Sequence, residues 1–408
     1  MHPADRIRGS AGKSLAGKTV VLGISGSIAA VECVALAREL IRDGARVVPV
    51  MTPAAARILH PDAMEFATGV KPVMELTGQV EHVHYCGAPP RGADVLLVAP
   101  ATANTLGKIA LGIDDTPVTT FATAALGSGM PVVVAPAMHE PMLENKMVRA
   151  RIEDLRALGV VFVEPRMEEG KAKMAAAPDI VAAVVRAVGP RDLVGRRVLV
   201  VAGSTAEPID NVRVITNRSS GRTGAEITRA LHGRGAEVTL LASEGLVDRF
   251  HPPAARVVTF GSVADILDRL EEIGDLSAFA AVVNCAAISD YTIERRDGKI
   301  PSGLEPLALE LRPAPRVLAA IRERFAGVLV GFKLESGGDH EGLVQKARKR
   351  QAEHRLDIVV ANRLEDVSSG RTHWRILDGE REVEEVAGSK AEAAERLAEV
   401  IAARLKKA

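Results

Sequence analysis

The stretch from Val198 to Thr239 limits most strongly what this chain can fold into. It begins with the apolar run Val198–Ala202, continues through the loop Asn217–Gly221, and ends in a helical pattern followed by a second strand. This order places the unpaired backbone N–H groups of a helix start beside a loop of small residues, an arrangement that binds phosphate. Arg218 and Arg222 add positive charge, so we predict a phosphate site here.

The same pattern occurs near the start of the chain. Residues 15–27 (LAGKTVVLGISGS) resemble residues 193–205 (LVGRRVLVVAGST). Both segments indicate a turn, a buried strand, a small-residue loop and a helix, which predicts two α/β domains with one nucleotide-binding loop each. Shared ancestry and convergence both explain the repeat.

Apolar strands alternate with amphipathic helices in both halves, which is typical of doubly wound, mostly parallel sheets. In the first half we predict strands at 46–51, 94–100 and 131–135, and ligand-binding positions at the strand ends 25–27, Thr52, 100–104 and 136–139. In the second half we predict strands at 198–202, 238–242, 256–260, 281–285, 328–332 and 357–361. Hairpin tips are expected at 297–298, between Thr292 and Ile300, and at 378–379, and Ser389 with Glu392 forms a capping box.

These patterns set the domain boundaries that we expect. Residues 1–16 are a disordered lead-in, 17–188 the first domain, 189–194 a linker and 195–408 the second domain.

Composition excludes several classes of protein. The 52 basic and 52 acidic residues cancel, so no global field attracts nucleic acid or an anionic membrane. No apolar run approaches the roughly 18 residues that a membrane span needs. The three cysteines include no CxxC pair, and the N-terminus lacks a secretion signal, so we expect a cytoplasmic protein.

Several separated segments together resemble one family, the bifunctional phosphopantothenate–cysteine ligase/phosphopantothenoylcysteine decarboxylase of coenzyme A biosynthesis. The second half contributes 202–224 (AGSTAEPIDNVRVITNRSSGRTG), 286–291 (AAISDY), 298–300 (GKI), 331–335 (GFKLE) and 361–362 (AN). The first half contributes 23–30 (GISGSIAA), 51–52 (MT), 100–105 (PATANT) and 136–138 (PAM). The resemblance implies a flavodoxin-like flavoprotein domain followed by a Rossmann-like ligase domain.

For the second domain the resemblance implies ligation of 4′-phosphopantothenate to cysteine through an acyl-nucleotide. Asn217 would act on that intermediate, Lys299 would assist its formation and Asp290 would bind Mg²⁺. The nucleotide would be held by Ser219, Ser220, Gly221, Ala287, Asp290, Lys299 and Phe332. CTP is typical of bacterial members and ATP of the separate eukaryotic ligase. The family's KIKK segment reads KIPS at 299–302, so both nucleotides stay open.

For the first domain the resemblance implies FMN-dependent decarboxylation to 4′-phosphopantetheine. FMN would lie against Gly23, Ser25, Gly26, Ser27, Thr52, Thr102 and Asn104. His82 would be the base, and His139 stands where the family commonly has an Asn that binds the substrate carboxylate. The family's flap cysteine has no counterpart in 167–174, a shortening similar to archaeal members. Either another acid, such as Glu168 or Glu169, completes the reduction, or this half is slow or altered.

Other readings of these residues stay open beside this one. His82, His84 and Cys86 would share a face of a strand and could bind zinc, although they are more often structural residues. Residues 346–350 (KARKR) are interpreted as a solvated helix face. An NAD(P)-dependent oxidoreductase is disfavoured because neither opening strand precedes a GxGxxG loop with an acidic residue about 20 positions on. A flavin-binding protein without decarboxylase activity is the further alternative. The resemblance also implies a homo-oligomer, with trimers through the flavin domain and dimers through the ligase domain.

Overall fold

A computed structural model describes residues 1–301, 303, 307–379 and 381–407. The chain divides into two compact units, residues 1–189 (unit 1) and 190–408 (unit 2). Each unit has its own sheet, as the repeated opening pattern predicts.

Unit 1 contains a five-stranded parallel sheet with the order β2-β1-β3-β4-β6. All seven residues of β3 are buried, which explains why this strand is a continuous apolar run. The strands of unit 1 are β1 Thr19–Ile24, β2 Arg46–Met51, β3 Val95–Ala101, β4 Val132–Pro136, β5 Met138–His139, β6 Val161–Phe162, β7 Arg166–Glu168 and β8 Lys171–Lys173.

Helices cover both faces of this sheet. One core cluster contains Leu36 and Leu40 of α2 and Val184 of α10, and the other contains Leu106 of α6 and Phe121 of α7. The helices are α1 Pro3–Ile7, α2 Cys33–Arg42, α3 Pro53–Ala56, α4 Pro61–Thr68, α5 Glu81–Cys86, α6 Ala103–Leu111, α7 Pro117–Gly127, α8 Glu140–Leu143, α9 Lys146–Ala157 and α10 Ala177–Val188, with a 3-10 helix at Ile28–Glu32.

The first 16 residues differ from the disordered lead-in that we expected. They contain α1, whose Ala4 is fully buried, and Leu15 is fully buried as well. The backbone is tied to the end of α2, because Gly9 N–H donates to Ile41 O at 3.0 Å and Leu15 N–H to Asp43 O at 2.9 Å. Burial of Ala4 and Leu15, together with these backbone hydrogen bonds, therefore orders a segment that we expected to be disordered.

Unit 2 contains an eight-stranded sheet with the order β13-β12-β9-β14-β17-β18-β19-β20. The strands up to β18 are parallel, and β19 and β20 are antiparallel additions. Its strands are β9 Arg197–Ala202, β10 Ala206–Pro208, β11 Val214–Thr216, β12 Glu237–Ser243, β13 Arg256–Phe260, β14 Ala281–Asn284, β15 Tyr291–Ile293, β16 Leu311–Pro313, β17 Val328–Glu335, β18 Ile358–Arg363, β19 Arg371–Asp378 and β20 Arg381–Ser389. Both sheets confirm the predicted α/β, doubly wound fold.

Helices also cover both faces of the second sheet, with separate core clusters on its two sides. They are α11 Arg222–Gly233, α12 Glu244–Phe250, α13 Val263–Ile273, α14 Val317–Arg324, α15 His340–His354 and α16 Lys390–Lys407, with 3-10 helices at Leu276–Ala278 and Leu364–Asp366. The capping box of α16 is present, since Glu392 N–H donates to Ser389 Oγ and Glu392 Oε2 accepts from Ser389 N–H.

One predicted hairpin is confirmed and the other is wrong. β19 and β20 pair around residues 378–379, as expected. No strand pairs across 297–298 in the described residues; β15 pairs instead with β16, placing Tyr291 opposite Pro313. The reason is that the Ile300 N–H, which a hairpin would use, donates to the Asp210 carboxylate at 3.1 Å.

The close contact of α11 with β9 gives a testable prediction. A Cβ on Gly224 would lie 2.2 Å from Ala202 Cβ and 3.2 Å from Cys285 Sγ. We expect Gly224→Ala to lower the free energy of unfolding of unit 2 by about 1–3 kcal/mol through overpacking. Denaturant unfolding followed by fluorescence reports on unit 2, because Trp374 is the chain's single tryptophan and is buried.

Gly245→Ala is the matched control for this prediction. Gly245 lies on the exposed surface of α12, and a Cβ there meets nothing within 4 Å. We expect unchanged or slightly higher stability from this variant. Equal destabilisation by both substitutions would contradict the packing argument.

Candidate functional site

The ends of β9 and β14 form the centre of the site in unit 2. The two strands are neighbours, yet the chain continues from β9 to β12 on the opposite side. Such a reversal of strand order opens a crevice at the carboxyl ends of the strands. A cavity of about 1120 Å³ lies there, lined by Gly203 at the end of β9 and by residues 284–291 after β14.

Hydrogen bonds join the loops that follow these two strands. Ala287 N–H donates to Gly203 O at 2.7 Å, and Ser289 N–H donates to Thr205 Oγ1 at 2.9 Å. The side-chain amide of Asn217 donates to Ala287 O and Ile288 O, each at 3.1 Å. Asn217 therefore attaches the predicted phosphate loop, residues 217–221, to the loop after β14.

The phosphate loop is open to the cavity. Residues 217–220 are exposed, and residues 217–224 line the cavity. Gly221 caps the start of α11 with φ of +75°, and a Cβ there would lie 2.6 Å from Leu246 Cδ1. Glycine is required at this position, and it leaves the positive end of α11 facing the cavity.

Positive charge dominates the cavity wall. The lining cations are Arg218, Arg222, Arg316, Lys333, Arg350 and Lys390, whereas Asp290 is the only carboxylate among the described lining residues. Burial lowers the pKa of Lys390, and the nearby Arg222 lowers it further. Because cations repel one another in a poorly solvated space, this wall is complementary to a polyanion.

The interpretation of 346–350 as a solvated helix face needs correction at Arg350. Its side chain lines the cavity, and burial lowers its pKa while the neighbouring Asp290 raises it. His354, one turn further along α15, also lines the cavity, and burial lowers its pKa. The sequence alone does not identify Arg316, Arg350 and His354 as lining residues. They lie far from residues 217–224 in the chain, and only the fold brings them to the same cavity.

The predicted residues differ in how the structure places them. Ser219, Ser220, Gly221, Ala287, Asp290 and Phe332 all line the cavity together with Asn217. Lys299 is exposed and is not among the lining residues. Ser302, the last residue of the KIPS segment, lies outside the described residues.

Asp210 positions the loop that carries Lys299. Its buried carboxylate accepts hydrogen bonds from the backbone N–H groups of Val212, Arg213 and Ile300, at 2.7, 2.7 and 3.1 Å, and pairs with the Arg213 guanidinium at 2.6 Å. Burial alone would raise the pKa of Asp210, but these donors hold it well below its usual range. Asp210 lies in a matched segment, yet its role was not predicted.

The predicted site in unit 1 lies at the equivalent place in its own sheet, where the order of the strands reverses. β1 and β3 are neighbours, and the chain leaves β1 for β2 on the other side. Ser25 Oγ, which is buried, donates to Pro100 O at 2.7 Å and accepts from Thr102 N–H at 3.0 Å. Thr52 N–H donates to Ile24 O at 3.0 Å, so the segments at 25–27, 52 and 100–104 meet at one edge.

Three helical segments begin at this edge. Ser27, Thr52 and Thr102 cap the 3-10 helix, α3 and α6, and each side chain accepts a backbone N–H of its own helix. A Cβ on Gly26 would lie 2.5 Å from Ala54 Cβ, so glycine allows the loop to approach α3 closely. Gly23 is buried in β1, and Asn104 is exposed on α6. The edge therefore presents helix N-termini and small residues, as an anion site requires.

His82 lies on a helix and not on a strand. Residues 81–86 form α5, so His82, His84 and Cys86 do not share one face and the zinc alternative at these positions is wrong. Cys86 is buried, which raises the pKa of its thiol to about 12. The Nδ1 atom of His82 is buried and has no hydrogen-bond partner among the described residues. A buried polar atom of this kind is expected to have a partner, such as a ligand.

His139 follows β4 and belongs to a small separate sheet. Ala137 N–H donates to Ala101 O at 3.0 Å, which places this segment beside the end of β3. β5 pairs with β8, setting His139 opposite Lys171, and β8 pairs with β7. The segment that lacks the cysteine is thus a hairpin packed beside His139.

Comparisons with known proteins identify the family of the chain. Residues 8–189 match the flavoprotein family, and residues 193–405 match the family described as DNA/pantothenate metabolism flavoprotein C-terminal domain. The chain is 48% identical over 371 residues to the coenzyme A biosynthesis bifunctional protein CoaBC of Thermococcus kodakarensis, covering 90% of this chain and 91% of that protein. It is 35% identical to the CoaBC protein of Methanocaldococcus jannaschii, covering 98% of this chain and 97% of that protein. The chain belongs to this family.

A solved structure of the DNA/pantothenate metabolism flavoprotein from Streptococcus pneumoniae is 27% identical, covers 51% of this chain and 99% of that chain, and has a TM-score of 0.46. Family membership confirms the resemblance, and the chain is a bifunctional coenzyme A biosynthesis enzyme with ligase and decarboxylase activities. The oxidoreductase alternative is wrong for this chain. None of the helices in the described ranges combines the length and the apolar character that crossing a membrane requires.

Asp210 gives a pH-dependent prediction for this enzyme. Its pKa is lower when folded than when unfolded, so its contribution to stability is complete above the unfolded pKa, about 4, and is lost as the pH falls toward the folded value. We expect Asp210→Asn to destabilise unit 2 by the same amount from pH 8 to pH 5. The gap between variant and parent should narrow below pH 4. Unfolding followed by Trp374 fluorescence measures the difference in free energy of unfolding between variant and parent. A difference that grows as the pH falls below 4 would contradict the stabilising role of the ionised Asp210 carboxylate.

Proposed function

We propose that the cavity of unit 2 binds CTP with 4′-phosphopantothenate and joins the latter to cysteine. The observation that supports this most is the excess of cationic side chains lining the cavity, with Asp290 as the one carboxylate among the described lining residues. Both substrates carry phosphate, and such a wall binds phosphates strongly. The product would then pass through FMN-dependent decarboxylation in unit 1.

The chemistry of the ligation assigns a task to each part of the cavity. The phosphopantothenate carboxylate attacks the α-phosphate of CTP, which releases pyrophosphate and leaves an acyl-cytidylate. The cysteine amine then attacks the acyl carbon, loses a proton and releases CMP. Ser219, Ser220 and Gly221 would hold phosphate through the helix start, and Ala287 and Phe332 would contact the base.

Asp290 fits the proposed Mg²⁺ role. Mg²⁺ is commonly held by one or two carboxylates together with substrate phosphates, and it keeps several waters. Asp290 is exposed within the cavity and lies close enough to Arg350 to affect its pKa. Its carboxylate would therefore offset part of the surrounding positive charge and provide an oxygen ligand.

Asn217 and Lys299 would act on the acyl-cytidylate from different elements. Asn217 already uses its amide N–H groups on Ala287 O and Ile288 O, which fixes its side-chain oxygen. Lys299 extends from a loop that Asp210 fixes at Ile300, so its long side chain has an anchored base. Lys299 does not line the cavity itself, so we propose that its side chain reaches in from this loop and stabilises the negative charge that develops on phosphate during transfer.

The Lys299 assignment predicts a separation of the two activities. We expect Lys299→Ala to lower the rate of amide formation by about 100-fold or more while flavin content stays unchanged. Mass spectrometry of the products from phosphopantothenate, cysteine and either CTP or ATP measures this and the nucleotide preference together. Arg296→Ala, an exposed cation on the same loop, is the matched control and should keep the normal rate. Ligation at the parent rate in Lys299→Ala would rule out the assignment.

We propose that the edge of unit 1 binds FMN. The residues fit this group, because the backbone N–H groups that the caps leave free at these helix starts, and the loop at Gly26, can face its phosphate. Bound FMN supplies the reversible two-electron chemistry that lets an N-acylcysteine lose its carboxylate. His82 would take up a substrate proton through its unpartnered Nδ1, and His139 would bind the substrate carboxylate.

The hairpin places both candidates for the missing cysteine's role beside one lysine. Lys173 pairs with Glu168 and with Glu169, each at 3.0 Å. The hydrogen bond from Lys173 lowers the pKa of Glu169. Both carboxyls stay candidates for the acid, and Lys173 ties them to one point of the hairpin.

The proposal includes assembly through unit 1. Ile28 and Val31 are 77% and 52% exposed directly after the capping residue Ser27, so an apolar surface borders the proposed flavin edge. We expect flavin-loaded protein to form oligomers built on trimers, with dimers through unit 2. Light scattering coupled to size exclusion measures the mass, and a monomer that retains flavin would contradict this expectation.

A further inference from the structure

We propose that His340, Asp366 and His373 form a binding site for a divalent transition-metal ion of the zinc type. Each residue offers one ligand atom, and these atoms all lie within 4.8 Å of one another. None of the three lines the cavity described above, so this site is distinct from the proposed Mg²⁺ position at Asp290.

Three separate segments of unit 2 bring the ligands together. His340 is the first residue of α15, Asp366 ends the 3-10 helix after β18, and His373 lies in β19. β18 and β19 are antiparallel neighbours, which returns His373 toward the 3-10 helix. The site therefore depends on the tertiary fold and has no spacing motif in the sequence.

Glu385 orients one of the histidines. Its Oε1 lies 2.6 Å from His373 Nε2, across the β19–β20 pair. Occupying Nε2 in this way leaves His373 Nδ1 for a metal, and this nitrogen is 3.9 Å from Asp366 Oδ2. A carboxylate bound to the far nitrogen of an imidazole is the usual outer partner of metal-binding histidines.

One buried side-chain atom of each of the other two residues lacks a hydrogen-bond partner. His340 Nδ1 and Asp366 Oδ2 are both buried, and neither has a hydrogen bond within the described part of the chain. Arg363 Nε is 3.5 Å from Asp366 Oδ2, and this ion pair does not meet hydrogen-bond geometry, since both atoms remain unsatisfied. The rings of His340 and His373 are 5.1 Å apart. A metal ion would give both buried atoms a partner.

The donor set defines the class of metal. Two imidazole nitrogens and one carboxylate oxygen suit zinc and its first-row neighbours, whereas Mg²⁺ and Ca²⁺ prefer oxygen ligands. Tetrahedral zinc would draw the three atoms closer by up to roughly 1.5 Å, within reach of side-chain rotation. Three protein ligands leave a fourth position for solvent.

The ion would brace one wall of the cavity. Leu364 and Val367, which flank Asp366 in the chain, line the cavity, and so does Trp374 beside His373. Because neighbouring residues of a strand point to opposite faces, β19 carries a proposed metal ligand, His373, on one face and a cavity-lining side chain, Trp374, on the other. The metal would therefore cross-link α15, the 3-10 helix and β19.

Cobalt is the probe that tests the site. Full-length protein without a histidine tag is treated with chelator and titrated with Co²⁺ alone, without nucleotide. We expect one Co²⁺ per chain with visible d–d absorption that Zn²⁺ abolishes. His373→Ala and Asp366→Asn should weaken binding by about 100-fold or more, and Glu385→Gln by about 10- to 100-fold.

His251→Asn is the matched control, because His251 is an exposed histidine of the same unit with a positive φ that Asn accepts. It should bind Co²⁺ like the parent. Parent protein without stoichiometric binding, or folded ligand variants with unchanged affinity, would overturn the proposal. X-ray absorption of the parent's bound Co²⁺ needs no variant: two imidazoles in the coordination shell support the site, and an all-oxygen shell overturns it.

Discussion

The reversal of strand order in a parallel sheet is the constraint on which both sites depend. In unit 1 it separates the connections that leave β1 and β3, and in unit 2 those that leave β9 and β14. The loops at these points cannot cover the sheet edge, so a crevice forms beside helix N-termini. Hydrogen bonds such as Ser25 Oγ to Pro100 O and Ala287 N–H to Gly203 O hold the crevice edges in place.

Charge gives the two crevices different capacities. In unit 1 the edge is built from capped helix starts and small residues, which suits a single phosphate with an uncharged ring system. In unit 2 six cationic side chains line the cavity into which α11 begins, which suits the proposed triphosphate and second phosphorylated substrate. The same fold can thus serve two reactions, and we propose that side chains from later elements, such as Arg316 and Arg350, set what the cavity of unit 2 binds.

The sequence predicted the sheets well because most of their central strands are buried on both faces and are therefore continuous apolar runs. The strand at 46–51, buried at five of its six residues, has the predicted bounds. The predicted phosphate loop contains Gly221, and the structure shows why glycine stands there: any side chain at this position would collide with Leu246. Local sequence patterns of this kind were sufficient to predict the fold and the family.

The remaining features depend on contacts between residues far apart in the chain. The hairpin predicted at 297–298 does not form because the Ile300 N–H donates to Asp210, which lies 90 positions earlier in the chain. Arg350 was read as solvated because α15 is polar on most sides, and only the packed structure places it beside Asp290. The lead-in is ordered by two buried residues, Ala4 and Leu15, too few to give a periodic pattern.

The central claim is that both strand-order reversals hold phosphate at a helix start. A crystal structure of the enzyme with CTP, Mg²⁺ and FMN tests it most directly. We predict triphosphate density against residues 219–221 at the start of α11, and FMN phosphate density against residues 25–27 and Thr102. Phosphates bound elsewhere, with both helix starts in contact with solvent alone, would contradict the account.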